Sequence, residues 1–216
     1  MDATPEPAAK RGVRNALVLL CAAVLAFGAV SLVHEATRDA VAATERARTL
    51  ARFDEILRGQ QYDNDPLADT IEVRDAELLG SSAMLTVYRA RLGAEPVAVI
   101  LAPVARNGYS GPIQLLVAIA PDGTLLGVRV SAHHETPGLG DGIERRKSAW
   151  IDGFAGRGLG SPPLARWKVR KDGGDFDQFT GATVTPRAIV SAVANTLVYF
   201  ERHRDELLAP ARTMPP

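Results

Sequence analysis

From Asp175 to Pro186 the chain reads Asp-Phe-Asp-Gln-Phe-Thr-Gly-Ala-Thr-Val-Thr-Pro. Its three threonines, Thr180, Thr183 and Thr185, fall within six residues. Thr185 before Pro186 has the form of a helix start. A threonine hydroxyl there accepts from a free backbone N–H, and a proline in the first helical position forfeits no hydrogen bond. Thr183 then stands just ahead of a helix N-terminus, where backbone N–H groups and the helix dipole favour a phosphate. Gly181 and Ala182 are small enough for a bulky ligand to approach the backbone. The same letters also fit a plain capped helix after a turn.

A second stretch, His133-His134-Glu135-Thr136-Pro137-Gly138-Leu139-Gly140, admits three readings. Two histidines and a glutamate could ligate a metal, but neighbours on an extended chain point to opposite faces, so no metal site is expected. Gly138, Gly140 and Gly142 miss the G-x-G-x-x-G spacing of a dinucleotide turn, and no β-α-β unit surrounds them. On the residues alone, a glycine-rich surface turn remains. Cys21 is the one cysteine, which excludes an intramolecular disulfide, a redox thiol pair and a cysteine-based metal centre. If the chain handles electrons, a bound cofactor carries them.

The elements that must position these residues follow from patterning. The 216 residues are 46% apolar, enough for one core, and 25 basic residues balance 25 acidic ones, so nucleic acid is not an expected partner. Ala16 to Val33 carries no charge and is long enough to cross a bilayer as a helix. Lys10, Arg11 and Arg14 precede it, which keeps the N-terminus in the cytoplasm. A cleaved signal peptide competes, but the run is long and lacks a small-x-small site just beyond it, so an uncleaved anchor is favoured. His34 to Gly59 reads as a helix with Leu50, Phe53 and Leu57 on one face. Gln60 to Leu67 reads as a loop. Strands are expected at Met84–Ala90, Val97–Leu101, Ile113–Ala120 and Leu125–Val130, the last two as a hairpin over Pro121–Thr124. A short helix around Trp150, Ile151 and Phe154 and a strand at Leu164–Val169 follow. The last helix, Pro186 to about Leu208, places Ile189, Val193, Leu197 and Phe200 on one stripe. Strands with helices at both ends and no regular β-α alternation give an α+β class. The division expected is a cytoplasmic tail at 1–14, a transmembrane helix at 15–34, a helical connector at 35–60 and one domain at 61–216.

Asp177 followed by Thr180-Gly181-Ala182-Thr183 resembles the flavinylation motif of the covalent FMN-binding domain family. Glu135-Thr136-Pro137-Gly138-Leu139-Gly140 resembles that family's second hallmark. Gly108 to Ile113, the hairpin and Asp172-Gly173-Gly174 occur in the expected order. The chain as a whole resembles G subunits of Rnf ion-translocating electron-transport complexes, with C subunits of sodium-pumping NADH:quinone oxidoreductases as near relatives. The resemblance implies a mainly antiparallel sheet flanked by helices and an FMN bonded through its phosphate to Thr183. A separate flavin transferase would make that bond. Thr180, Gly181 and Ala182 would line the phosphate, and Asp177 would be read by the transferase. Glu135 and Thr136 would make polar contacts near the ring, where Gly138, Leu139 and Gly140 let backbone approach; Trp150 could pack there, though a core role suits it better. It further implies an electron carrier rather than a catalyst with its own base or nucleophile. That carrier would sit in the bacterial inner membrane with its domain in the periplasm, among other membrane subunits coupling ferredoxin–NAD electron transfer to ion movement. The rivals are a C-type subunit of a sodium-pumping NADH:quinone oxidoreductase, a flavin-dependent reductase using the same domain, and a non-redox anchored scaffold.

Overall fold

The structure is a computed structural model that describes residues 8–210. It divides into two compact units between Leu50 and Ala51.

Helix α1 runs Ala8–Leu57. From Leu17 it is long and apolar enough to cross a membrane, and its most apolar 18-residue window has a mean hydropathy of 2.4 and is wholly unburied. Beyond the apolar run, Thr37, Thr44 and Thr49 return their hydroxyls to carbonyls four residues back, so these hydroxyls are satisfied along the helix itself. The helix stops two residues before the expected Gly59. Arg58 and Gly59 both turn to positive φ, at 51° and 81°, and the Gln60 N–H closes on the Leu57 carbonyl at 3.1 Å.

The last turns of α1 already belong to the second unit, where Phe53, Ile56 and Leu57 are buried. The Phe53 ring meets Tyr88 at 4.9 Å between centroids. Ile56 lies so close to Gly127 that a Cβ there would meet the Ile56 carbonyl oxygen at 2.6 Å.

The sheet of this unit holds β1 (Thr70–Asp75), β2 (Ser81–Leu92), β3 (Glu95–Leu101), β4 (Val104–Ala105), β5 (Ile113–Ile119) and β6 (Leu125–Ala132). All five strand pairings are antiparallel. β5 is central: it pairs β6 along one edge and both β3 and β4 along the other. That explains its nearly continuous apolar run, which is buried from Leu115 to Ile119. β1, with alternating Ile71 and Val73, and the two-residue β4 were not among the expected strands. The α+β class with a mainly antiparallel sheet stands.

Helix α2 (Val184–Arg202) packs on β4 and β5, and its stripe of Ile189, Val193, Leu197 and Phe200 is buried. It does not run unbroken to Leu208. His203 leaves helical geometry at φ −117°, ψ 17°, and a short α3 (Arg204–Leu208) follows.

The expected strand at Leu164–Val169 is absent. Leu164–Arg166 and Arg170–Asp172 are 3-10 turns, with only a single bridge from Val169 to Phe176. Among the described residues the segment joins no sheet. Backbone hydrogen bonds tie it to Asp175 and Phe176, and rings hold it: Phe176 lies 4.9 Å from both Phe154 and Trp167, and the Arg157 guanidinium caps Phe176 at 4.6 Å. The short helix expected around Trp150 is present as a 3-10 helix, Trp150–Phe154.

Candidate functional site

Three chain segments meet above the end of the sheet: the loop between β4 and β5, the turn after β6, and the start of α2. Between them lies a groove of about 340 Å³. The turn after β6 contributes Glu135, Thr136, Leu139 and Gly140, and the approach to α2 contributes Gly181, Ala182 and Thr183. The two stretches singled out in the sequence therefore face one another, although 50 residues separate Glu135 from Thr185.

Thr183, not Thr185, is the N-cap of α2. Its backbone is already helical, at φ −71°, ψ −27°, and its carbonyl accepts the Arg187 N–H at 3.2 Å. Its hydroxyl makes no capping hydrogen bond. Thr185, the expected cap, lies inside the first turn and is fully buried, where its hydroxyl donates to Glu135 Oε2. The correction has a physical cause: a buried carboxylate is a stronger acceptor for that hydroxyl than any role at a helix end. Pro186 still falls within the first turn, where a missing N–H does no harm.

Glu135 is 5% exposed and uses both carboxylate oxygens internally. Oε1 accepts the Ser110 N–H at 3.0 Å and Oε2 the Thr185 hydroxyl. Its own N–H donates to His133 Nδ1 at 3.0 Å, and His133 Nε2 lies 3.2 Å from Glu144 Oε1. The histidine and glutamate thus serve a local network and do not converge on a common point. Gly140 is required by this packing, since a Cβ would meet Glu135 Oε2 at 2.8 Å and Thr185 Oγ1 at 3.0 Å. Gly138 has φ +78° and sits outside the groove lining, its N–H donating to Asp141 Oδ1 at 2.9 Å. Lys147 donates to Asp141 and, with that N–H, holds its carboxyl below the usual carboxylate range. Arg146 does the same to Glu144.

The remaining expected residues lie on the outer side of the loop before α2. Thr180 is exposed and outside the lining. Asp177 is exposed and pairs with Arg170 at 3.1 Å. Trp150 stands behind this loop, donating from Nε1 to the Asp177 carbonyl at 2.8 Å and meeting the Phe179 ring at 5.3 Å. Two further ion pairs brace the same loop, Arg187 with Asp172 and Arg166 with Asp175, and each lowers its aspartate's pKa. Gly174 fits only as glycine, because a Cβ would meet the Lys168 carbonyl oxygen at 1.8 Å. Tyr109, Val184 and Thr185 also line the groove and were not among the expected site residues. Tyr109 follows Gly108, where a Cβ would meet the Gly111 carbonyl oxygen at 2.3 Å, so a glycine before an aromatic was the available signal.

Comparison with known proteins adds independent findings. Residues 108–198, which include both groove stretches, match the family described as FMN-binding domain, and residues 4–56 match that described as RnfG N-terminal region. The G subunit of the ion-translocating oxidoreductase complex of Pseudomonas aeruginosa (strain UCBPP-PA14) is 50% identical over 197 residues, covering 91% of this chain and 92% of the relative. The corresponding G subunit of Cereibacter sphaeroides (strain ATCC 17029 / ATH 2.4.9) is 48% identical over 181 residues, covering 84% and 80%. That of Vibrio atlanticus (strain LGP32) is 42% identical over 196 residues, covering 91% and 93%. Among solved structures, NqrC of Shewanella oneidensis superposes with a TM-score of 0.48 at 21% identity, over 67% of this chain and 74% of that one.

Proposed function

The chain belongs to the G-subunit family of ion-translocating oxidoreductase complexes, and from that premise we propose that it is the complex's membrane-anchored electron-transfer subunit, carrying an FMN bonded through its phosphate to Thr183. The observation that carries this reading is the groove itself: both motifs line it, and the Thr183 hydroxyl stands at a helix N-terminus without a capping bond.

The residues fit such a group. The first turn of α2 offers backbone N–H groups that have no intrahelical partner, and these suit a phosphate. Gly181, at φ +80°, has open space where a Cβ would stand, so a ligand can lie against its backbone. Leu139 and Val184 give the groove an apolar wall, which suits a flat aromatic body. Thr183 Oγ1 would accept the phosphoester from FAD, losing its proton as the pyrophosphate bond of FAD breaks and AMP leaves. Glu135, the one carboxylate in the groove lining, is already taken by Ser110 and Thr185. That occupancy supports activation by a separate flavin transferase. Asp177 is exposed outside the groove, which supports its being read by such an enzyme. The flavin supplies one- and two-electron exchange when bound, and the protein supplies position and electrostatics.

The uncharged run with basic residues before it supports the setting. Residues 1–14 form a cytoplasmic tail, 15–34 the span, 35–60 the connector and 61–216 a periplasmic domain at the inner membrane. Other membrane subunits are the partners. The uncharged run Ala16–Val33 offers no ion path, so translocation belongs to those subunits. The complex would couple electron transfer between ferredoxin and NAD to that movement.

The test is co-expression with a flavin transferase in an exporting host, followed by a denaturing gel under ultraviolet light. Fluorescence that survives denaturation and vanishes in Thr183→Ala is the expected result. A dark wild-type band beside an active transferase would refute the covalent reading and favour the scaffold.

A further inference from the structure

One wall of the groove comes from neither motif. Tyr109, on the loop between β4 and β5, lines the groove while remaining 73% exposed. Its ring pairs with no other aromatic ring and its hydroxyl has no protein partner among the described residues. Leu139 and Val184, beside it in the lining, are 53% and 40% exposed. Large apolar side chains gathered open around one cavity mark a binding surface rather than a packing fault.

The loop that carries Tyr109 is nonetheless fixed. Gly108 sits with its Cα against the Gly111 carbonyl and Glu135 Oε1, and the Ser110 N–H donates to that same oxygen at 3.0 Å. The other Glu135 oxygen accepts from Thr185 in the first turn of α2. One buried carboxylate therefore ties the Tyr109 loop to the helix whose N-terminus is Thr183.

A phosphoester at Thr183 restrains only one end of an FMN and leaves the ring free to swing. Tethering makes any second contact intramolecular, so a weak aromatic contact is enough to settle the ring. We propose that Tyr109 is the aromatic wall that holds the isoalloxazine ring in the groove, and that Glu135 is the positioning residue that sets this wall opposite Thr183. The proposal rests on the reading that Thr183 carries the flavin.

The test uses the full chain, flavinylated by co-expression and purified in detergent. An electron-rich tyrosine in contact with a flavin quenches its emission, and a covering ring shields it from iodide. Wild type should be dim when folded and bright when denatured. In Tyr109→Leu the folded emission should rise several-fold and iodide should quench it more steeply. Tyr109→Phe should keep the iodide shielding while the emission rises. Glu135→Gln, with Tyr109 retained, should fall between wild type and Tyr109→Leu in iodide access. Tyr109 is exposed, so its variants should fold. Equal folded emission and equal iodide quenching in wild type and Tyr109→Leu, at equal covalent loading, would overturn the proposal. Covalent loading is read separately on the denaturing gel, so a wild type without flavin would overturn the underlying reading instead.

Discussion

Two threonines two residues apart, Thr183 and Thr185, have different fates in this chain. Thr185 is buried and gives its hydroxyl to Glu135, whereas Thr183 caps α2 with its hydroxyl left over. Replacing Thr185 by valine keeps the shape but strips a donor from a buried carboxylate, and should destabilise the domain by about 1–3 kcal/mol, read by urea unfolding. Thr183→Ala should leave unfolding nearly unchanged, since that hydroxyl makes no capping bond. Similar losses for both would contradict this division. The run Thr180 to Thr183 was legible as a candidate site through its resemblance to the flavinylation motif, since its residue types alone also fit a plain capped helix. Which threonine is the cap was not legible, because the deciding acceptor lies 50 residues earlier in the chain. Gly140 was expected near the ring; its packing against the Glu135–Thr185 contact was not legible, since Thr185 lies far along the chain.

Among the elements, β2 and the β5–β6 hairpin were legible from alternation and turn residues, and α2 from its stripe. Leu164–Val169 was misread because Trp167 packs into an aromatic cluster and Val169 into the core, while Leu164 stays exposed, a tertiary arrangement with no period of its own. β2 also carries a feature without a sequence signal. Arg89 and Arg91 are buried beside Asp69, with Nε distances of 2.7 and 2.6 Å, and both reach the Ala209 carbonyl. Asp69→Ala would leave two buried guanidiniums without their counter-charge and should cost about 3–5 kcal/mol, measured by denaturant unfolding. A loss within experimental error would show that water reaches them.

The loop before α2 makes a pH prediction. Arg187 holds Asp172, and Arg166 holds Asp175, below the usual carboxylate range. A depressed folded pKa contributes stability that is fully present above the unfolded value, about 4, and is lost as pH falls through the lower folded value. Stability should therefore be level from neutral pH to near 5 and decline in stronger acid. The decline should be modest, because these pairs are exposed. Asp172→Asn should lessen it; an unchanged acid profile in that variant would remove the pair from the account.

At the scale of the whole molecule, the uncharged N-terminal run and the α+β domain were both evident from composition and patterning. The boundary between the two units was less so, because one continuous helix crosses it: α1 lends Phe53, Ile56 and Leu57 to the core of the second unit. A chain beginning at Ala51 should fold alone with an unchanged melting temperature. One beginning at Gly59 lacks three buried side chains, each worth about 2–5 kcal/mol, and should be unfolded or nearly so. Equal stability of the two would place the core elsewhere. The most direct test of the central claim isolates the full chain from membranes of a host with a flavin transferase and maps it by peptide mass spectrometry. The account predicts that the peptide containing Thr183 carries the mass of an FMN phosphoester, and that Thr183→Ala carries none anywhere. An FMN on another residue, or an unmodified Thr183 peptide at full occupancy, would contradict it.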